Sequence, residues 1–241
     1  MIYVNCLDIT EVNQELFEKF YAMASAERKQ RADRYSCRED AGRCILAEAL
    51  LRFSLQEAYG YCPEIDVRYN EYGKPFIKGL ENFKYNLSHS GKWVVVGYHV
   101  AGINNVGIDV EKIREVGSCE KLAKRFFAQE EQEYIFSALD EKEKAGRFTE
   151  VWTLKESYVK YLGSGLSKSL ESFSVDGATG CVRETSGKVI KGVRARSYAL
   201  GEDYYLSVCS SGREVTIKRI HMQELSGLLK DERLQEASSK S

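Results

Sequence analysis

Apolar and polar positions alternate in short runs along the chain, and the runs fall into a repeated order. Residues 2–9, "IYVNCLDI", alternate weakly and predict a strand. From about 11 to 35 the composition is helical, and "SCRE" at 36–39 reads as a capping box, Ser36 with Glu39, opening a helix that runs to Gly60. "EIDVRY", "FKYNLS" and "KWVVVGYHV" are β-rich, with the turn "NEYGKP" between the first two, and "NNVGIDVEKI" at 104–113 is a further strand. Helical segments follow over roughly 118–139 and 142–162, ending at "GSG". Strands are expected near 172–176, 188–198, 203–210 and 214–218, then a helix from His221 that frays into a polar tail. "RYSCRED" (34–40) faintly echoes "RFFAQEE" (125–131), each ahead of a helix and a β-rich stretch. If the echo is real, two similar α+β halves meet near residue 105, with a cleft between them suited to a ligand.

Two segments break their own pattern with charge. In the strand at 104–113, alternation turns Ile108 and Val110 to one face and Asp109 and Glu111 to the other. Like charges on one face repel unless water or a cation lies between them. A wet surface strand is the plain alternative. In "RFTEVWTLKESYVKYLGSGLS" (147–167), Phe148, Val151, Trp152, Tyr158, Val159 and Leu162 form an apolar stripe at helical spacing. Lys155 falls within that stripe, and Glu156 and Lys160 lie at its edge as an i, i+4 pair. A lysine there is costly unless an anion or carboxylate meets it. The alternatives are snorkelling for Lys155 and a surface ion pair for Glu156–Lys160.

Composition narrows the class. The 241 residues carry a net charge of −1, which offers no global pull toward nucleic acid or an acidic membrane. Any anion site must come from local clustering. Seven scattered cysteines without a C-x-x-C pair point to a reduced interior, with neither zinc nor a disulfide framework. The first residues lack a basic start and a long apolar run, and no window predicts a membrane span, so a cytoplasmic protein is expected.

The clustering is present. "ERKQRADRYSCREDAGR" (27–43) contains Arg28, Arg31 and Arg43, and Arg28 and Arg31 lie one turn apart, able to grip one phosphate. A solvated helical face is the alternative. "NLSHSGKW" (86–93) sets Ser88 and His89 on opposite faces of a strand end, which excludes a nucleophile–base dyad and suits donors to phosphate oxygens. Lys74 stands in the turn "YGKP". Taken together, Asp109, Glu111 and Glu156 offer hard oxygens for Mg²⁺, and the basic groups and hydroxyls offer partners for phosphates. That is the equipment of phosphoryl-type chemistry.

The ordered set "YGKP", "NLSHSGKW", "GIDVEKI", "RFFAQEE" and "WTLKESYVKYLGSGLS" resembles the 4′-phosphopantetheinyl transferases of the large, monomeric, surfactin-synthetase-activating type, over nearly the whole chain to about residue 225. The resemblance implies an α+β fold, an intramolecular pseudodimer of two similar halves (1–105 and 106–225, with 226–241 a polar tail), and an active site in the cleft between them. It implies transfer of the phosphopantetheine arm of coenzyme A to a serine of an acyl or peptidyl carrier protein, releasing adenosine 3′,5′-bisphosphate. Carried over by motif, Asp109, Glu111 and Glu156 match ligands of Mg²⁺, with Mn²⁺ as an alternative. Arg28, Arg31 and His89 match positions on the coenzyme's 3′-phosphate, and Arg43, Lys74, Ser88, Lys155 and Lys160 line its nucleotide and pyrophosphate. Arg28 and Arg31 replace lysines of the family, and Cys44 stands where some relatives have a hydroxyl. Glu131 is the candidate general base with Glu156 its rival, and Lys160 stabilises or protonates the departing bisphosphate. The partners implied are coenzyme A and a carrier protein, with no nucleic acid, no membrane and no second copy. A Mg²⁺-dependent phosphohydrolase and a silent binder are the competing readings.

Overall fold

A computed structural model of the chain describes residues 1–100, 105–113, 119–165, 168–212 and 214–228. The elements run β1 (Ile2–Asp8), α1 (Gln14–Met23), α2 (Ala26–Ala32), α3 (Arg38–Tyr59), β2 (Val67–Tyr69), β3 (Pro75–Ile77), β4 (Lys84–Ser90), β5 (Trp93–His99) and β6 (Gly107–Lys112). Then follow α4 (Cys119–Phe126), α5 (Gln129–Phe136), α6 (Glu141–Leu162), β7 (Phe173–Val175), β8 (Cys181–Glu184), β9 (Val189–Ala199), β10 (Tyr204–Ser210), β11 (Val215–Ile220) and α7 (Met222–Leu225). The fold is mixed α+β. Among the described residues no helix is long and apolar enough to cross a membrane.

Local chemistry sets the boundaries. The helical stretch expected over 11–35 is broken after Met23, because the Ser25 side chain accepts the Arg28 N–H and starts a new helix. Ser36 is not the cap of α3. Cys37 holds that position without a side-chain capping bond, and its thiol donates to Glu39 instead. Asp140 caps α6 by accepting the Glu143 N–H. Both long helices end at a left-handed glycine, Gly60 and Gly163. "RFFAQEE" opens the short α5 rather than the long α6, so its echo of "RYSCRED" does not mark equivalent helices. The helix expected from His221 is α7 alone, and residues 229–241 of the expected tail lie outside the described residues.

Two larger sheets carry the architecture, ordered β11-β1-β5-β4 and β6-β10-β9-β8-β7, with β2-β3 as a separate pair. β11 lies parallel to β1, so residues 215–220, expected in the second half, return to the first sheet. Alternation along each strand sorts the core. Leu7, Val94 and Val96 pack with α3 residues such as Leu46 and Leu50, whereas Ile2, Val4, Cys6, Val95, Ile108, Val110, Leu206 and Val208 meet between the two sheets. On the far face of the second sheet, α6 packs through Leu154, Tyr158 and Val159. α6 approaches the sheet closely at Gly107, where a Cβ would stand 2.1 Å from the Ser157 carbonyl oxygen and 2.3 Å from the Tyr161 nitrogen. Only glycine lets the helix rest on β6 there, and the contact fixes the height of Lys160 over the strand.

Candidate active site

β4 and β6 are edge strands of different sheets, and they meet through side chains rather than a backbone ladder. The outward N–H groups of Ile108, Val110 and Lys112 donate to Asn86 Oδ1 (2.8 Å), Ser88 Oγ (3.3 Å) and Ser90 Oγ (3.2 Å). Alternate residues of β4 thus stand in for the missing neighbour strand. The same two hydroxyls donate onward, Ser88 to Asp109 Oδ1 (2.9 Å) and Ser90 to Glu111 Oε2 (2.7 Å). Accepting an N–H and donating to a carboxylate sets each hydroxyl in one orientation. Each carboxylate is consequently held at one oxygen.

Lys160, near the end of α6, donates to Asp109 Oδ1 at 2.6 Å and to Ser88 Oγ at 3.1 Å. Asp109 is 3 % exposed, and its Oδ2 is buried with no partner. A buried, unpaired carboxylate oxygen is a costly feature that a cation or donor would relieve. Glu156, one turn before Lys160, is pushed above the usual carboxylate range by burial and then by the negative charge of Asp109, with Lys160 opposing and Glu111 adding to the rise. The three carboxylates therefore share one electrostatic neighbourhood. As placed, no three acidic, thiol or imidazole groups among the described residues stand close enough to hold a metal ion. The donor set is still all hard oxygen, and it contains the unsatisfied Asp109 Oδ2, so its chemistry fits Mg²⁺.

Beside this cluster lies a group of cations. His89 is held below the ordinary histidine value by desolvation, then by Arg43 and Lys160, with a smaller push from Arg31. Arg43 also donates to the Gly91 carbonyl (2.7 Å) and to Asp40 (2.6 Å). Arg28 sits against the buried Glu48 at 3.7 Å, and Glu48 is bound in turn by Arg52 and Ser25. Cys44 is buried, with its thiol 3.9 Å from the Arg28 carbonyl.

Three expected site residues are engaged elsewhere. Lys155, fully buried in the apolar stripe, donates to Glu131 Oε2 and to the Phe173 carbonyl, both at 2.6 Å, with its ammonium over the Phe173 ring. Glu131 is 4 % exposed and also accepts the N–H groups of Ala128 and Val175. The two pair with each other rather than with the Asp109 cluster. Lys74, expected to face an anion, directs its ammonium at the carbonyls of Val106, Lys160 and Tyr161. Sequence reasoning missed Asn86 and Ser90. Their signal, polar residues alternating on a strand beside "GIDVE", gains meaning only once the two edges are known to meet.

Two family models cover the chain, the 4′-phosphopantetheinyl transferase N-terminal family over residues 11–100 and the 4′-phosphopantetheinyl transferase superfamily over residues 105–209. A 4′-phosphopantetheinyl transferase of Bacillus subtilis is 34 % identical over 198 residues, covering 80 % of this chain and 85 % of that protein. This chain belongs to the 4′-phosphopantetheinyl transferase superfamily. Within the superfamily it is similar to the transferase Sfp of Bacillus subtilis strain 168, 37 % identical over 68 % of this chain and 71 % of Sfp. It is also similar to the transferase gsp of Aneurinibacillus migulanus, 35 % identical over 92 % of both chains. The boundary between the two family models, between residues 100 and 105, precedes β6, so Ser88 and His89 fall in the first matched region and Asp109, Glu111, Glu156 and Lys160 in the second.

Proposed function

We propose that this enzyme moves the 4′-phosphopantetheine arm of coenzyme A onto a serine of an acyl or peptidyl carrier protein and releases adenosine 3′,5′-bisphosphate. The observation that carries the reading is the Ser88–Asp109–Lys160 cluster, with its unpartnered Asp109 Oδ2, next to Glu111 and Glu156. Asp109, Glu111 and Glu156 would hold Mg²⁺, or Mn²⁺ in its place. When bound, the ion neutralises charge on the pyrophosphate oxygens. Arg28, Arg31 and His89 bind the 3′-phosphate in this reading, and Arg43 and Ser88 border the nucleotide and pyrophosphate.

Glu156 is the general base. It lies one turn before Lys160 and would take the carrier serine's proton through a carboxylate oxygen not given to the metal, whereas three hydrogen bonds on Glu131 disfavour that residue. The serine oxygen attacks the pantetheine-side phosphorus, and the bond from that phosphorus to the bridging pyrophosphate oxygen breaks in line. Charge left on the departing bisphosphate is met by the Lys160 ammonium. Two parallels support a pseudodimer with the site between its halves. α3 and α6 each span 22 residues, and Asn5 on β1 bonds Ser54 and Glu57 on α3 much as Asp109 on β6 bonds Lys160 on α6. A cytoplasmic monomer acting on coenzyme A and a carrier, without nucleic acid or membrane, completes the proposal.

Ser90→Ala removes the hydroxyl that holds Glu111, and loss of such an outer partner typically costs about 10–100-fold in metal affinity. A titration of loading rate against Mg²⁺ is expected to show the half-maximal concentration rising by about tenfold, with the maximal rate nearly kept. The function itself is tested by chromatography of the nucleotide products. Adenosine 3′,5′-bisphosphate is expected in step with carrier modification and absent without carrier. Its release from coenzyme A alone would make the protein a hydrolase instead.

A further inference from the structure

The turn at residues 70–74 is bound to the end of α6 at backbone level. Lys74 Nζ donates to the carbonyls of Lys160 (2.6 Å), Val106 (3.1 Å) and Tyr161 (3.3 Å), which uses all three ammonium protons. Asn70, at the other end of the turn, donates from Nδ2 to the Gly163 carbonyl at 3.0 Å, while its Oδ1 accepts the N–H groups of Tyr72 and Lys74. The packing leaves no slack. A Cβ on Gly163, whose φ is +68°, would stand 2.6 Å from Lys74 Cδ, and one on Gly165 would stand 3.0 Å from the Tyr72 carbonyl oxygen.

The last carbonyls of a helix have no intrahelical partner, and a cation there also meets the negative end of the helix dipole. Lys74 serves both needs, and its third bond ties α6 to the residue leading into β6. Burial lowers its pKa to about 8, and the other groups acting on it are Cys209 and Lys84, with no carboxylate among them. One of the three carbonyls belongs to Lys160, the residue whose side chain reaches Asp109.

We propose that Asn70 and Lys74 are positioning residues, a clamp on the C-terminal turn of α6 that holds Lys160 at its working place against Asp109. This assignment rests on the phosphopantetheinyl transfer proposed above, and it replaces the anion-lining role expected for Lys74. In this assignment neither side chain acts on substrate directly. Their effect passes through the backbone of Lys160, and a small displacement of a charge-stabilising group is enough to slow a phosphoryl-type step.

The test uses the full chain with Lys74→Met, Lys74→Arg and Asn70→Ala. Carrier loading gives kcat, calorimetry with adenosine 3′,5′-bisphosphate gives the nucleotide Kd, and hydrogen exchange reports on the last turn of α6. The clamp predicts that kcat falls by about 10–10²-fold in Lys74→Met and Asn70→Ala, with Kd within about twofold of wild type and faster exchange in that turn. Lys74→Arg keeps the charge but cannot aim a planar fork at three converging carbonyls, so it does not restore kcat. A Kd weakened tenfold or more in Lys74→Met and recovered in Lys74→Arg, with kcat kept, would make Lys74 an anion ligand and overturn the proposal. Unchanged kcat and exchange in Asn70→Ala overturn it too, and that variant decides the matter if Lys74→Met does not fold. A wild-type protein that loads no carrier contradicts the proposed function instead, and the exchange measurement still judges the clamp.

Discussion

Asp109→Ala is expected to lower the carrier-loading rate by about 10²–10³-fold, the loss typical when one preorganised charge-stabilising contact is removed. Asp109 accepts from both Ser88 and Lys160 and supplies the one buried carboxylate oxygen in the cluster without a partner. Alanine there removes that oxygen and frees the Lys160 ammonium to swing. Lys160→Ala should cost nearly as much, and the double variant should cost far less than the product of the two, because the groups act as a unit. Steady-state loading of a carrier at saturating coenzyme A measures all three. Near-normal turnover in Asp109→Ala would remove that residue from the reaction.

The second large effect falls on stability. Lys155→Met leaves the Glu131 carboxylate buried without its cation, a change expected to destabilise the fold by about 3–5 kcal/mol. For a chain of this size that corresponds to a Tm lower by about 10 °C in a calorimetric scan. Replacing both partners by apolar residues of similar volume should recover much of the loss, since no charge is then stranded. Glu131→Gln separates structure from catalysis. Glutamine keeps an acceptor for the Val175 or Ala128 N–H, so the folded fraction should still load carrier at close to the normal rate. A rate reduced a hundredfold or more in well-folded Glu131→Gln would return the role of base to Glu131.

The parts of the site that follow from one element's own periodicity were legible in the sequence. Alternation put Asp109 and Glu111 on one strand face, and helical spacing put Glu156 and Lys160 one turn apart. The same spacing put Lys155 on an apolar stripe that demanded an anion, and the structure supplies Glu131. What could not be read depends on how separate elements meet. Asn86, Ser88 and Ser90 become a surrogate edge for β6 only because two sheets bring their borders together. Lys74 reads as an anion-facing turn cation because nothing local shows that the end of α6 lies over it. The parallel return of β11 to β1 joins residues more than two hundred positions apart, and no short-range pattern encodes that. The short strands β3 and β8 were missed as well, being too brief to alternate visibly.

In the proposed reaction the cluster around Asp109 transfers phosphopantetheine to a carrier serine in a metal-dependent step. Intact mass spectrometry of an apo carrier protein, incubated with this enzyme, coenzyme A and Mg²⁺ beside an EDTA control, tests it most directly. A gain of one phosphopantetheine mass on the carrier serine is expected with Mg²⁺ and none with EDTA. The same gain in the presence of EDTA, or no gain on any of several unrelated carriers while coenzyme A still binds, would contradict it.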